Sequence, residues 1–270
     1  MIQAHSLSSF RLPWCALAAA TALLVGGAGP SEPSPDAAEL ATRAEAARRA
    51  GKAKEAAGLI DRAVAIEPEN HRWWNQRGSL HFRQGRIADS IRDFDQAIKL
   101  RPAIEPYHWQ RGISYYYAGA YDKGRRQFEI HQTVNPNDVE NAAWHYLCVA
   151  RSQGVEIARA ALLPIRGDGR IPMMKVYALL QGRIQPPEVL AAAEQAPVER
   201  RRLALFYAHL YLGLYYEAAG QDKPAARHMQ LAAVRYIGPH YMGDVARVHH
   251  LRLEAKAKAK AKQPQGDKAE

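Results

Sequence analysis

From residue 36 onward the apolar residues of this chain fall at helical spacing, and no segment sustains the period-two alternation of a strand. Leu40, Ala44 and Ala47 share one helical face; Ala56, Ile60 and Ala63 share another. The pattern predicts helix hairpins over about 36–67, 70–101 and 105–134. A helix near 138–153 follows, then a short one ending at Pro164 and a turn at 166–169. Helices over 171–182 and 187–195 are separated by Gln185, Pro186 and Pro187. A long helix, 198–219, pairs with 222–236. A terminal helix starts near Pro239, runs at least to Leu253 and is expected to cap the stack. Its Val245, Leu251 and Leu253 are expected to face inward, with Arg247 and Arg252 in solvent.

The hairpins repeat. Residues 71–104 lie over 105–138 without a gap, a period of 34. Trp74 falls on His108, Gly78 on Gly112, His81 on Tyr115 and Gly85 on Gly119. Ser90 falls on Gly124, Phe94 on Phe128, Ala97 on His131 and Pro102 on Pro136. Each position has a mechanical role. Gly78 and Gly112 let the second helix approach closely. Gly85 and Gly119 suit a left-handed helix end. Phe94 and Phe128 supply apolar bulk, and the prolines stop the second helix. This period and order of residue types resembles the tetratricopeptide repeat (TPR). The resemblance implies an all-α solenoid of helix hairpins whose concave side binds protein segments.

The register extends upstream over 37–70, through Leu40, Ala44, Ala47, Gly51, Ala56, Ile60, Ala63 and Pro68. Downstream, 139–172 is degenerate, because Tyr146 fills a small-residue slot and Pro164 arrives early. A clear unit returns at 206–239, with Gly213, Tyr216, Gly220, Ala225, Met229 and Ala232. The expected organisation is therefore three repeats over 36–138 and a degenerate repeat with a helical connector over 139–205. A repeat plus capping helix covers 206–255, and a basic low-complexity tail covers 256–270.

Composition adds a compartment. Arg11, the apolar run 14–25 and the small residues Gly26, Gly27 and Ala28 read as a signal peptide over 1–28, cleaved after Ala28. An uncleaved anchor is the competing reading. Residues 29–35 are a Pro/Ser-rich linker. Export to the periplasm or cell envelope is the expectation. Cys15 precedes rather than follows the apolar run, so a lipid anchor is not evident, and Cys148 is left alone in the mature chain. The formal charge is +10, with four lysines between 256 and 262 and no acid among them. That tail is read as a solvated helix end or as a weak tether to anionic surfaces.

The stretch Val176–Leu190 adds a narrower likeness, with Tyr211-Leu-Gly-Leu-Tyr-Tyr216 and Ala143-Trp-His-Tyr-Leu147. Together they resemble NlpI-like TPR proteins of bacterial envelopes, over roughly 70–253. That resemblance implies a homodimeric adaptor that brings peptidoglycan hydrolases together with a processing protease. Members of that family carry a lipid-attachment motif, which is not visible here.

In the repeat register the concave positions are Arg72, Asn75, Ser79, Phe82 and Arg83 in the second unit. They are Pro106, Trp109, Ile113, Tyr116 and Tyr117 in the third, and Glu45, Arg48 and Arg49 in the first. Arginine and aromatic anchors suit an extended or helical peptide with some acidic character. The partner-binding groove is therefore expected at Arg72, Asn75, Phe82, Arg83, Trp109, Tyr116 and Tyr117. The competing reading has Trp109 and Tyr116 packing against a helix of the same chain. The positions do not supply the Lys/Asn set of a carboxylate clamp.

No catalytic residue, cofactor or metal is expected. His145 and Cys148 are helical neighbours with no oxyanion donors in view. His240, Asp244, His249 and His250 do not converge as a ligand set on one helix. No phosphate-binding glycine loop is present. Nucleic acid is disfavoured because the basic residues sit in no binding motif. Two functions from different classes remain: a non-catalytic binding adaptor, and a structural assembly or secretion component acting by self-association and its basic tail.

Overall fold

A computed structural model describes residues 36–262. The expected signal peptide, the linker and the last eight tail residues lie outside the described residues. The described chain is a run of helices with no strand among them. The first three hairpins are α1 (Ala37–Arg49) with α2 (Ala53–Ile66), α3 (His71–Arg83) with α4 (Ile87–Leu100), and α5 (Trp109–Tyr117) with α6 (Tyr121–Gln132). Then come α7 (Val139–Gln153), α8 (Val155–Ala160), α9 (Met173–Leu180) and α10 (Pro186–Glu194). The chain closes with α11 (Val198–Ala218), α12 (Asp222–Gln230), a π-helical turn (Leu231–Arg235) and α13 (Tyr241–Lys262).

The repeat positions act as their residue types require. A Cβ on Gly78 would lie 2.8 Å from the Phe94 ring, and one on Gly112 would lie 2.7 Å from Phe128. Phe94 and Phe128 are buried, and each fills the space its glycine leaves. Gly85 and Gly119 adopt φ of 75° and 74° at the first helix's end, a conformation that penalises any Cβ.

A polar ladder ties the repeats together. Arg77 forks onto Asp93 of its own hairpin at 2.9 and 2.8 Å and reaches back to Asp61 of the preceding one at 3.2 Å. One period later Arg111 donates to Gln127 at 2.8 Å and reaches back to Asp95 at 3.1 Å.

Two expectations are corrected. Residues 102–107 form a 3-10 turn, so the first helix of the third unit starts only at Trp109. The terminal helix packs on the last hairpin, against α12 and the π-helical turn, and its first turn also reaches the second and third units. There Tyr241 stacks on Phe82 with ring centroids 5.4 Å apart and meets the edge of Trp109 at 5.0 Å. Its orientation differs in part: Val245 is buried and Leu253 packs against the core as expected, but Leu251 is 51% exposed. Arg252 stays exposed while it covers the Tyr117 ring at 5.2 Å, whereas Arg247 is half-buried and donates to the Arg83 carbonyl at 2.7 Å.

Candidate functional site

Of the expected groove residues, Phe82, Arg83, Trp109 and Tyr117 meet α13 and Tyr116 meets α11. Arg72 is exposed and Asn75 half-buried; both line a shallow depression with Tyr107 at the start of α3. Phe82, Tyr116 and Tyr117 are buried under the chain's own elements and present no free surface. Arg83 pairs with Asp244 of α13 at 2.7 Å. Tyr116 donates weakly to Glu217 of α11 at 3.4 Å and packs against Trp144. Tyr117 shares a hydrogen bond with His249 of α13 at 2.9 Å. Trp109 stays half-buried against Tyr241. The same-chain packing of Trp109 and Tyr116 is thus what the structure contains. Among the other concave positions, Glu45 is absorbed by Arg48 and Arg49, and the bond from Arg48 leads in holding its carboxyl down at about 2.

A half-open cavity of about 310 Å³ lies between the third and fourth units, α11 and the start of α13. Trp109, Trp144, Tyr207 and Tyr241 give it aromatic walls. Asp138 and Glu140, at the start of α7, give it an acidic side. Behind these acids Arg170 reaches three carboxylates: Asp138 at 2.5 Å, Glu140 at 2.5 Å and Asp168 at 2.6 Å. Tyr211 donates to Glu140 at 2.8 Å. Burial dominates at Glu140 and, with Asp138 adding repulsion, pushes its carboxyl up to about 7 although Arg170 opposes the shift.

Four polar atoms of the lining residues are buried and have no hydrogen-bond partner within the protein: Asn141 Oδ1, Trp144 Nε1, His240 Nε2 and the Tyr241 hydroxyl. Their roles follow from their neighbours. The Asn141 amide nitrogen already serves the Phe128 carbonyl and Gln132, which leaves the oxygen as an acceptor. His240 Nδ1 accepts from Gly243 N–H at 3.3 Å, so Nε2 carries the proton. Burial lowers the His240 pKa and favours the neutral ring. Trp144 can only donate, and Tyr241 can do either. Unpaired buried groups of this kind cost free energy.

Sequence reasoning missed Glu140, Asn141, Trp144, Tyr207 and Tyr241 as a group. The acids before α7 and the Tyr207/Tyr211 spacing were visible. Their convergence with α13 depends on contacts between distant segments.

The remaining chemical candidates do not assemble. Burial pushes the Cys148 thiol far up, and His145 turns to Glu129 at 3.5 Å. Asp244 is paired with Arg83 and His249 is buried against Tyr117, so neither meets His240 or His250 as a ligand set. Among the described residues, no group of three His, Cys, Asp or Glu side chains is placed to hold a metal ion.

Comparison with known proteins agrees with the hairpin geometry. Residues 71–104 match the tetratricopeptide repeat family. The fold is similar to the crystal structure of a tetratricopeptide repeat protein from Parabacteroides merdae. The identity is 17% and the TM-score 0.52, with 84% of this chain and 87% of that one covered. Two other solved structures align more loosely. One is Naa15/Naa10 bound to HypK-THB, with a TM-score of 0.39 and 16% identity over 86% of this chain and 37% of that one. The other is yeast Tom70, also with a TM-score of 0.39, at 13% identity over 85% of this chain and 49% of that one. The chain is an all-α helix-hairpin solenoid of the TPR type.

Proposed function

We propose that this chain is a non-catalytic adaptor of the bacterial cell envelope that binds protein partners on the concave side of its repeat stack. The observation that carries this reading is the half-open aromatic cavity left on that side beside α13. A rigid helical scaffold with a cleft of aromatic and polar groups suits recognition of a protein segment. The signal-like N-terminus supports export. The connector motif at 176–190 makes peptidoglycan hydrolases and an envelope protease the first partner candidates. The tail contributes less to this reading, since Lys256 and Lys260 both pair with the exposed Asp222, at 3.1 and 2.8 Å.

Affinity capture from an envelope extract tests the proposal, with the full mature chain as bait beside Trp109→Ala. Trp109 is half-buried on the cavity wall, and circular dichroism verifies that the variant stays folded. The expected result is a hydrolase or protease retained by the wild-type bait and lost by the variant. Identical retention by both baits, or retention by neither, contradicts it.

A further inference from the structure

A second opening lies where α13 passes the corner between α3 and α4, and it shares no lining residue with the aromatic cavity. Val248 is buried, but Leu251 and Arg252, one turn on, are exposed. Between this stretch and residues 83–87 runs a half-open groove of about 320 Å³. Its lining is apolar at Ile87, Val248 and Leu251 and cationic at Arg83, Arg247 and Arg252. An exposed leucine alone is ordinary. Here it extends an apolar surface inside a groove edged by guanidinium groups.

The charge along the groove is unbalanced. Asp244 pairs with Arg83 at 2.7 Å and lies 3.8 Å from Arg247. Arg252 lies over the Tyr117 ring and, among the described residues, meets no carboxylate at ion-pair distance. Three guanidiniums therefore share one carboxylate. The neighbouring acids are engaged elsewhere: Asp89 with Arg86 and Arg92, Glu217 with Arg151 and His249, and Glu254 with His250. Lys258, seven residues past Leu251, falls on the same side of α13 and carries the positive edge further. Exposed ion pairs contribute little singly, so a ligand held here also has to cover the apolar lining. A side chain can enter a groove between two elements, whereas a flat headgroup layer meets only its rim.

We propose that this groove is a second docking site, for an acidic segment of a partner protein that carries an apolar anchor. A leucine-sized side chain seats against Ile87, Val248 and Leu251, and flanking carboxylates pair with Arg247, Arg252 and Lys258. The acidic peptide that the sequence favours is thereby placed at the edge of α13 and not on the aromatic residues of α5. The site goes beyond the adaptor reading, because it is separate from the cavity that carries that reading.

Isothermal titration calorimetry on the full mature chain tests it, with the acetylated and amidated hexapeptide Glu-Glu-Leu-Leu-Glu-Glu as probe. Two control peptides change one feature each: Ser-Ser at the centre removes the anchor, and Lys in place of every Glu reverses the charge. The expected result is saturable binding of the acidic leucine peptide, with both controls at least about tenfold weaker. Arg252→Glu is expected to weaken binding about tenfold and Leu251→Ser about fivefold, with circular dichroism unchanged. Should Arg252→Glu fail to fold, Lys258→Glu on the exposed helix surface takes its place and is expected to weaken binding about threefold. No binding at saturating peptide, equal binding of either control, or unchanged affinity in the folded variants would overturn the proposal. So would Arg252-dependent sedimentation with phosphatidylglycerol vesicles in the absence of peptide binding, which would assign the arginines to a membrane surface. Trp109→Ala is expected to leave peptide affinity unchanged, so failure here and failure of the adaptor reading are read separately.

Discussion

A glycine and a bulky apolar residue sixteen positions later set the spacing within each hairpin. Gly78 faces Phe94, Gly112 faces Phe128, and a Cβ on Gly213 would lie 3.0 Å from Met229 Cε. The side chain fills the space the glycine leaves, so adding a methyl at the glycine overpacks the interface. Gly112→Ala is therefore expected to cost about 1–3 kcal/mol in denaturant unfolding. Gly167→Ala lies in the exposed loop before α9, where an added Cβ would meet no atom within 4 Å. It is expected to stay within about 0.5 kcal/mol of wild type. Equal stability of the two variants would contradict this account of hairpin spacing. These pairs were legible in the sequence because both partners lie within one hairpin and recur at a fixed offset. The Asp61–Arg77 and Asp95–Arg111 contacts share that periodicity and were equally available.

At the scale of the element, α13 decides how much of the concave side stays open. Its contacts bridge very long stretches of chain: Arg83 and Asp244 are 161 residues apart, Tyr117 and His249 are 132 apart. No local pattern announces contacts between segments this far apart. The docked helix has a pH signature. His249 lies between Tyr117 and Glu217, with Arg252, Arg151 and His250 nearby, and burial pushes its pKa down to about 4. Burial likewise takes His108 in the third unit and His209 in α11 down to about 4. Each is neutral when folded and gains a proton on unfolding once the pH falls below the ordinary histidine value near 6.5. The unfolded chain then binds more protons, so stability falls as pH drops from about 6.5 to about 4, by roughly 3 kcal/mol per histidine at most. Glu140 acts in the opposite sense between its ordinary 4.5 and about 7, and as one group it offsets only part of the loss. The denaturant midpoint is expected to be lower at pH 5 than at pH 7, with a smaller difference in His249→Gln. Equal midpoints at the two values would contradict the buried neutral histidines.

Across the whole molecule, helix hairpins stack, the chain's last helix packs on the last hairpin and reaches back to the second and third, and an aromatic cavity with an acidic side lies beside it. The all-α solenoid was readable from the sequence because a repeat states its rule several times. The cavity was not, because Glu140, Tyr207 and Tyr241 come from three separate helices that only tertiary packing brings together. The central claim is that partners engage this concave cavity. It is tested most directly by photo-crosslinking in envelope extract, with benzoylphenylalanine replacing Trp109 in one protein and Val198 in another. Val198 is 78% exposed and lies outside the cavity lining, which makes it a control. The expected result is a discrete heavier adduct from position 109 and none from position 198. Adducts from position 198 alone, or the same adducts from both positions, would contradict it.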